Sequence, residues 1–314
     1  MKKKMLILGL VLTIGASIAM GGWDGYAPVA DARTTIKVID AEGYPVTNAL
    51  VLHCFFNERI ANQEKLIEKI TDTNGCAVFE GTTSGQTSYR VRKDGYYLSD
   101  GGYKGWMEKW TPPDSPNIKK GLWQPWNPTF EVVLKQIKNP VPMLSSGRLQ
   151  PELPQTNTFV GFDLERKDWV APYGKGVHDD FRFQIKRRFA SRDDYDAELT
   201  LAVTNSMDGI QGFLADTTKG SKMYLPYEAP LDGYQTNLVL RLSQGSQPQY
   251  LMDQNYIFRV RTKTDENGKV VSALYGHIRG PIKFDVINSD TAFIVFAYYL
   301  NLDGTRNLEF KQGF

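Results

Sequence analysis

Residues 71–79 of the chain read Thr-Asp-Thr-Asn-Gly-Cys-Ala-Val-Phe, a turn signal followed at once by a short apolar run. The Asn74-Gly75 pair is a strong hairpin signal, because both residue types accept the positive φ values of tight turns. Upstream, residues 49–56 form an apolar run long enough for a strand that is buried on both faces. The turn and the two runs predict a fold built from β-strands.

Short strand-like runs recur on both sides of this hairpin, between residues 33 and 137. They lie at residues 35–40, 76–79, 89–93 and 130–134, with glycine-rich turns between them. Five or six short strands of this kind predict a small β-sandwich. Residues 57–70 are compatible with a short helix that leads into a strand, and the pattern leaves that choice open.

The order of turns and strands also carries a family resemblance. It rests on Val38-x-Asp40, Gly43-x-Pro45-Val46, Ala49-x-Val51, Thr71-Asp72-x-Asn74-Gly75, Phe79-x-Gly81 and Val91-x-Lys93-x-Gly95-Tyr96. This pattern resembles carboxypeptidase regulatory-like domains, which are transthyretin-like (prealbumin-type) sandwiches. The resemblance covers residues 34–97 and 130–134. It implies a Greek-key sandwich that serves as a non-catalytic module, and it carries over no catalytic residue.

A long insertion at residues 98–129 departs from that pattern. It holds four of the six tryptophans, together with Tyr103 and five prolines; the four are Trp106, Trp110, Trp123 and Trp126. Connections of this length are often functional, and rigidly mounted aromatic rings suit stacking on sugars, Pro-rich peptides or a protein partner. The alternative is that the tryptophans bury the insertion itself or wedge it against the rest of the protein.

Residues 138–157 are predicted to be a linker, because four prolines lie there among Ser, Gly and Gln. From residue 158 to residue 314 the strand pattern resumes with period-two alternation and charged outer positions. This alternation predicts a second antiparallel β-sandwich, for which a jelly-roll arrangement is one option. The whole chain is therefore predicted to be all-β.

A carboxylate cluster near the start of this second half is a further candidate site. Asp163 and Glu165 share one strand face, about 7 Å apart by strand geometry, and Asp168 and Trp169 follow. Such a group can form an ordinary polar strand face, contact a cation or a sugar, or catalyse glycoside hydrolysis. Two cysteines and three histidines make no zinc signature, and no phosphate-binding loop is present. We predict no metal and no cofactor.

The amino terminus predicts export. Three lysines precede an apolar run at residues 6–16 and small residues follow, which is the order of a secretory signal peptide over residues 1–19. Cleavage as late as residue 32 and an uncleaved membrane anchor are the alternatives. Export leads to a periplasmic or secreted protein, where an oxidising environment favours a disulfide between Cys54 and Cys76 over two buried thiols.

Loss of the signal peptide changes the charge balance. Removing its three lysines leaves 34 basic residues against 35 acidic ones, so the formal charge moves from +2 to −1. The mature chain then has no basic excess to attract nucleic acid, and no later stretch predicts a membrane span. The leading hypothesis is an exported, non-catalytic binding or structural protein with a glycan, peptide or envelope protein as partner. The alternative is a secreted enzyme that uses the carboxylate cluster on polysaccharide or peptide.

Overall fold

The computed structural model describes residues 28–57, 66–103, 117–191, 193–216, 220–243, 251–286 and 291–310. Within these ranges every regular element is a β-strand, so the chain is all-β as predicted. The predicted signal peptide, residues 1–19, lies outside the described residues. No helix in the described part of the chain is long and apolar enough to cross a membrane.

The first half of the chain forms a sandwich of two sheets. Its strands are β1 (Ala30–Asp40), β2 (Leu50–Phe56), β3 (Leu66–Ile70), β4 (Cys76–Thr83), β5 (Gln86–Arg92), β6 (Ser99–Tyr103), β7 (Ile118–Lys119), β8 (Leu122–Trp123) and β9 (Thr129–Leu134). Sheet 1 has the strand order β4-β1-β8-β7, with β9 also paired to β1. Sheet 2 has the strand order β6-β5-β2-β3. The chain passes from sheet 1 to sheet 2 and back twice, so the two sheets share their strands along the sequence.

A tight turn is present before β4, but it is not the predicted hairpin, because β3 pairs with β2 in sheet 2 whereas β4 pairs with β1 in sheet 1. The Asp72 carboxylate accepts hydrogen bonds from the backbone N–H groups of Asn74 (2.9 Å) and Cys76 (2.8 Å). Gly75 has a φ of 74°, and a Cβ atom there would lie 2.4 Å from the carbonyl oxygen of Val38. Glycine is therefore required both for the backbone conformation and for the close approach of the turn to β1.

The second half forms another two-sheet sandwich. Its strands are β10 (Leu144–Leu149), β11 (Val160–Asp163), β12 (Asp168–Trp169), β13 (Phe181–Ser191), β14 (Asp194–Ala202), β15 (Gly209–Leu214), β16 (Gly220–Ser221), β17 (Asn237–Ser243), β18 (Gln254–Thr264), β19 (Val270–Ile278), β20 (Lys283–Val286) and β21 (Ala292–Asn301). Sheet 3 has the order β10-β21-β19-β18-β15 with β20 on β21, and sheet 4 has the order β12-β11-β13-β14-β17. The strands that pair within these two sheets run antiparallel to each other.

The segment predicted to be a linker is integrated into this second sandwich. Strand β10 pairs with β21, and Leu153 is buried in the core between sheets 3 and 4. The prolines of residues 138–157 lie outside β10, which is an edge strand of its sheet. Proline is tolerated next to an edge strand, and the composition therefore misled the prediction.

The two sandwiches meet in a third apolar cluster. Tyr97 from the first half packs there with Met223, Leu225, Leu308 and Phe310 from the second. In addition, the short strand β16 leaves the second half and pairs with β6, which makes it the edge strand of sheet 2. We call this contact region the junction. The two halves are joined there by both apolar packing and a shared sheet.

The predicted disulfide is absent. No bond joins Cys54 to Cys76 in the structure. In β2 the core residues are Val51 and Phe55, so Cys54 points to the opposite, outer face of sheet 2. In β4 the buried neighbour Ala77 faces the core, so Cys76 points away from it on sheet 1. The two side chains therefore lie on opposite outer faces of the sandwich.

Candidate functional site

Asp163 of the predicted carboxylate cluster is a buried structural anchor. One oxygen accepts hydrogen bonds from the backbone N–H groups of Glu165 (2.9 Å) and Arg166 (3.0 Å), and the other from those of Val177 (2.8 Å) and His178 (2.9 Å). Burial alone would raise the pKa of Asp163, but these backbone hydrogen bonds and the charge of Arg261 lower it. The carboxylate thus stays ionised and ties two loops together.

Arg261 fills the space between the carboxylates. Its guanidinium contacts Asp180 at 2.8 and 2.9 Å, Glu165 at 2.7 Å and Asp163 at 3.4 Å. These acids raise the pKa of Arg261 although its partial burial acts in the opposite direction. A cation or a water nucleophile would have to occupy the position that this guanidinium takes.

Asp168 and Trp169 form the short strand β12, which pairs with β11 so that Asp168 lies opposite Asp163. Asp168 accepts hydrogen bonds from the backbone N–H groups of Trp169 and Lys175, both at 2.8 Å. The Trp169 ring is buried and packs edge-on against Phe162, with ring centroids 5.1 Å apart. The structure therefore brings Asp163 and Glu165 together on Arg261, whereas the carboxylate of the neighbouring Asp168 is held by backbone N–H groups of its own loop. Across the described ranges, no three His, Cys, Asp or Glu side chains form a group that could hold a metal ion.

Two of the three histidines are core residues. His53 contacts the hydroxyls of Thr34 (3.0 Å) and Thr87 (2.8 Å) through Nε2, and burial lowers its pKa to about 3. His277 is fully buried against Tyr299, and burial together with the charge of Arg279 lowers its pKa to about 3. Both rings are neutral at physiological pH and enclosed, so neither is placed to exchange protons with a bound substrate.

The aromatic residues of the insertion have different environments. Trp123 is buried and donates its indole hydrogen to the carbonyl oxygen of Thr83 at 2.9 Å, whereas Trp126 is 39% exposed. Tyr103 packs on Phe130 with ring centroids 5.0 Å apart. Trp106 and Trp110 lie outside the described residues. Of the predicted aromatic surface, the structure thus presents Trp126 and, in part, Tyr103.

A cavity of about 460 Å³ opens at the junction. Strands β6 and β9 approach each other where Ser99 donates a hydrogen bond to the carbonyl oxygen of Val133 (3.0 Å). Residues 100–102 of β6 and residues 131–133 of β9 line the cavity, and Met223 and Tyr224 line it from the second half. A Cβ atom at Gly101 would lie 2.3 Å from the Tyr89 ring, so glycine allows this ring to lie directly against β6.

Two basic residues neutralise the Asp100 carboxylate at this cavity. Arg90 donates to it at 2.6 Å and Lys222 at 2.9 Å. Burial acts to raise the pKa of Asp100, but the hydrogen bonds and charges of these two partners lower it. Since Lys222 belongs to the second half, this triad also ties the two halves together next to the cavity.

Lys135 has no such acidic partner in the ranges that the structure describes. Its ammonium group donates a hydrogen bond to the carbonyl oxygen of Leu225 at 2.9 Å, and partial burial lowers its pKa. Nearby, the hydroxyl of Tyr224 is buried without a hydrogen-bond partner, and so are both ring nitrogens of His277. The junction therefore combines an apolar wall with polar groups whose bonding capacity is not used.

The sequence offered few signals for this site. Lys135 lies at the end of a predicted strand, where a lysine is ordinary, and Tyr224 lies in a region without a predicted element. The adjacent glycines Gly101 and Gly102 were the available hint, because paired glycines in a strand often mark a close approach of another group. The pairing of β16 with β6 spans more than 100 residues and cannot be read from local patterns.

Comparison with known proteins gives little further information. No family model and no curated protein matches the sequence. A solved structure of 3-chlorocatechol 1,2-dioxygenase from Rhodococcus opacus 1CP matches 34% of this chain and 60% of its own, with 13% identity and a TM-score of 0.25. BcpA, the major pilin subunit of Bacillus cereus, matches over 88% of this chain and 92% of its own, with 8% identity and a TM-score of 0.22.

A further match is the mercury-inhibited catechol 1,2-dioxygenase from Acinetobacter sp. ADP1, with 16% identity, a TM-score of 0.25 and coverage of 37% of this chain and 56% of its own. The chain thus spans less than two thirds of the length of these dioxygenases. At such TM-scores none of these likenesses carries an argument about activity or assembly.

Proposed function

We propose that this chain is an exported, non-catalytic binding protein in which the junction between two β-sandwiches forms the ligand site. The observation that carries the proposal is the junction cavity, to which both halves contribute walls. Cavities between domains are the places where proteins most often bind small ligands. Export remains the expectation from residues 1–19, and a location in the periplasm or outside the cell follows from it.

The absence of catalysis is supported by how the acid and base groups are used. Asp163, Glu165 and Asp180 are engaged by Arg261, and His53 and His277 are buried as neutral rings. A general acid or base needs access to the substrate and a pKa near the working pH. Asp163, Asp180 and the two histidines are buried away from a substrate, which favours the binding hypothesis over the alternative of a secreted hydrolase.

The insertion at residues 98–129 belongs to the proposed site. It supplies β6, whose residues 100–102 form one wall of the cavity, and it supplies the exposed ring of Trp126. A sugar, a peptide or an envelope protein could use such an aromatic surface beside the cavity. The two-sheet sandwich of β1 to β9 agrees with the resemblance to carboxypeptidase regulatory-like domains, whose non-catalytic role fits this proposal.

A ligand screen with a blocked cavity tests the proposal. Ligand-observed NMR with neutral, cationic and anionic fragments should find compounds that bind the mature protein. Val133→Trp should abolish this binding by filling the cavity. Val239→Trp is the matched control, because Val239 is 37% exposed on β17 and Val133 is 39% exposed on β9. The proposal fails if no fragment binds, if binding is equal in both variants, or if the protein hydrolyses glycans or peptides.

A further inference from the structure

Within the described part of the chain, Lys135 differs from the other basic residues near the cavity because it has no carboxylate partner. Lys37 pairs with Glu131 at 3.3 Å, and Lys222 pairs with Asp100 at 2.9 Å. Among the described residues, no carboxylate forms an ion pair with Lys135, whose ammonium group donates to the carbonyl oxygen of Leu225. A partly buried ammonium group that is not paired keeps an unfavourable desolvation energy that an anion can relieve.

Two acids that line the cavity have basic partners among the described residues: Asp100 pairs with Arg90 and Lys222, and Glu131 pairs with Lys37. Lys135 also lines the cavity, and it forms no ion pair within the described part of the chain. One ammonium group without a carboxylate partner matches a ligand that carries one carboxylate.

The walls of the cavity favour an apolar body on that anion. Tyr89, Tyr224, Val132 and Met223 are among the residues that line it. At about 460 Å³ the cavity has the size of a small-molecule site. Apolar walls stabilise a bound ligand in proportion to the apolar surface that the ligand buries. A bare inorganic anion has almost no apolar surface to bury.

We propose that the junction cavity binds an organic monocarboxylate with an apolar or aromatic body, whose carboxylate pairs with Lys135. This inference rests on the proposed function and names the ligand class of the same cavity. The ammonium group of Lys135 can donate two further hydrogen bonds, and a carboxylate offers two acceptor oxygens. The aromatic body would then lie between Tyr89 and Tyr224.

Three probes test the inference by isothermal titration calorimetry on the mature protein. Phenylacetate carries both the charge and the ring, phenylacetamide carries the ring without the charge, and acetate carries the charge without the ring. We expect phenylacetate to bind at least about tenfold more tightly than either of the others, since a charge-assisted hydrogen bond contributes about 1.5–3 kcal/mol. Equal binding of phenylacetamide overturns the role of the charge, and equal binding of acetate overturns the role of the apolar body.

Variants then locate the interaction. Lys135→Gln should weaken phenylacetate binding about tenfold or more, Lys135→Arg should retain most of it, and the exposed Lys175→Gln should leave it unchanged. If Lys135→Gln does not fold, the three probes are compared on the wild-type protein and on Lys135→Arg. That comparison still tests whether the carboxylate of the ligand pairs with the side chain at position 135. If neutral or cationic fragments occupy the cavity while phenylacetate does not bind, this inference is wrong and the proposed function stands. If nothing binds, both fail.

Discussion

Tyr97 and Glu309 lie 212 positions apart in the chain and meet at the junction, where the tyrosine hydroxyl donates a 2.9 Å hydrogen bond to the carboxylate. Glu309 is almost fully buried and also accepts hydrogen bonds from the backbone N–H groups of Lys138 (2.7 Å) and Asn139 (2.6 Å). Three donors converge on one buried carboxylate, which offsets the cost of removing its charge from water. This bond network ties the start of the second half to its last described residues and to the first sandwich.

Removing the Glu309 carboxylate should therefore destabilise the whole protein. Glu309→Ala leaves three donors without an acceptor, among them the buried Tyr97 hydroxyl, and we expect a loss of about 3 kcal/mol in the free energy of unfolding. Glu228→Ala is the control, because Glu228 forms an exposed ion pair with Arg306 and its loss should cost under about 1 kcal/mol. Urea unfolding monitored by tryptophan fluorescence measures both. Equal stabilities of the two variants would contradict the importance of the junction network.

The two buried histidines predict acid sensitivity. Their folded-state pKa values are about 3, below the unfolded value of 6.5, so between these limits the unfolded chain binds more protons than the folded one. The contribution of the two histidines to the free energy of unfolding is therefore complete above about pH 6.5. It falls as the pH is lowered, by up to about 1.4 kcal/mol per pH unit for each histidine. Urea unfolding measured from pH 7.5 to pH 4 should show this slope.

A single substitution can show how much of the pH dependence of stability comes from His277. Both ring nitrogens of His277 lack a hydrogen-bond partner, and the ring stacks on Tyr299 with centroids 4.9 Å apart. Phenylalanine preserves the ring without a titrating group, so His277→Phe should keep or increase stability at pH 7 and flatten the pH dependence. His178→Gln, at an exposed position, should not change it. If the pH dependence is the same in His277→Phe as in the wild-type protein, protonation of groups other than His277 causes the loss of stability at low pH.

The local features of the fold could be predicted from the sequence, whereas the long-range ones could not. The turn at Asn74-Gly75 and the alternating runs of β13, β14 and β21 are local, because turn chemistry and period-two patterns lie within a few residues. The parallel pairing of β1 with β9 and the short strand β16 depend on distant partners. The same holds for the site: Trp126 was predicted from composition, but Lys135 and Tyr224 acquire their roles only through the junction.

The cysteines give a direct chemical test of the first sandwich. Packed sheets are separated by about 10 Å, and a disulfide needs Cβ atoms about 3.5–4.5 Å apart. Because Cys54 and Cys76 point outward from opposite sheets, we expect alkylation of the denatured, unreduced protein to label both thiols. Reduction before alkylation should leave the mass unchanged. Protection of both thiols until reduction would mean that the two strands are arranged differently.

Arg261 provides the sharpest test of the second sandwich. It has a φ of 57°, and its guanidinium is the counterion of the buried Asp163 and Asp180. Arg261→Met should cost about 3–5 kcal/mol, because buried carboxylates then lose their compensation, whereas Arg241→Met removes an exposed pair with Glu198 and should cost under about 1 kcal/mol. Adding Asp180→Asn should recover part of the loss by removing one of the uncompensated charges. If the double variant is no more stable than Arg261→Met, the electrostatic account of this cluster is wrong.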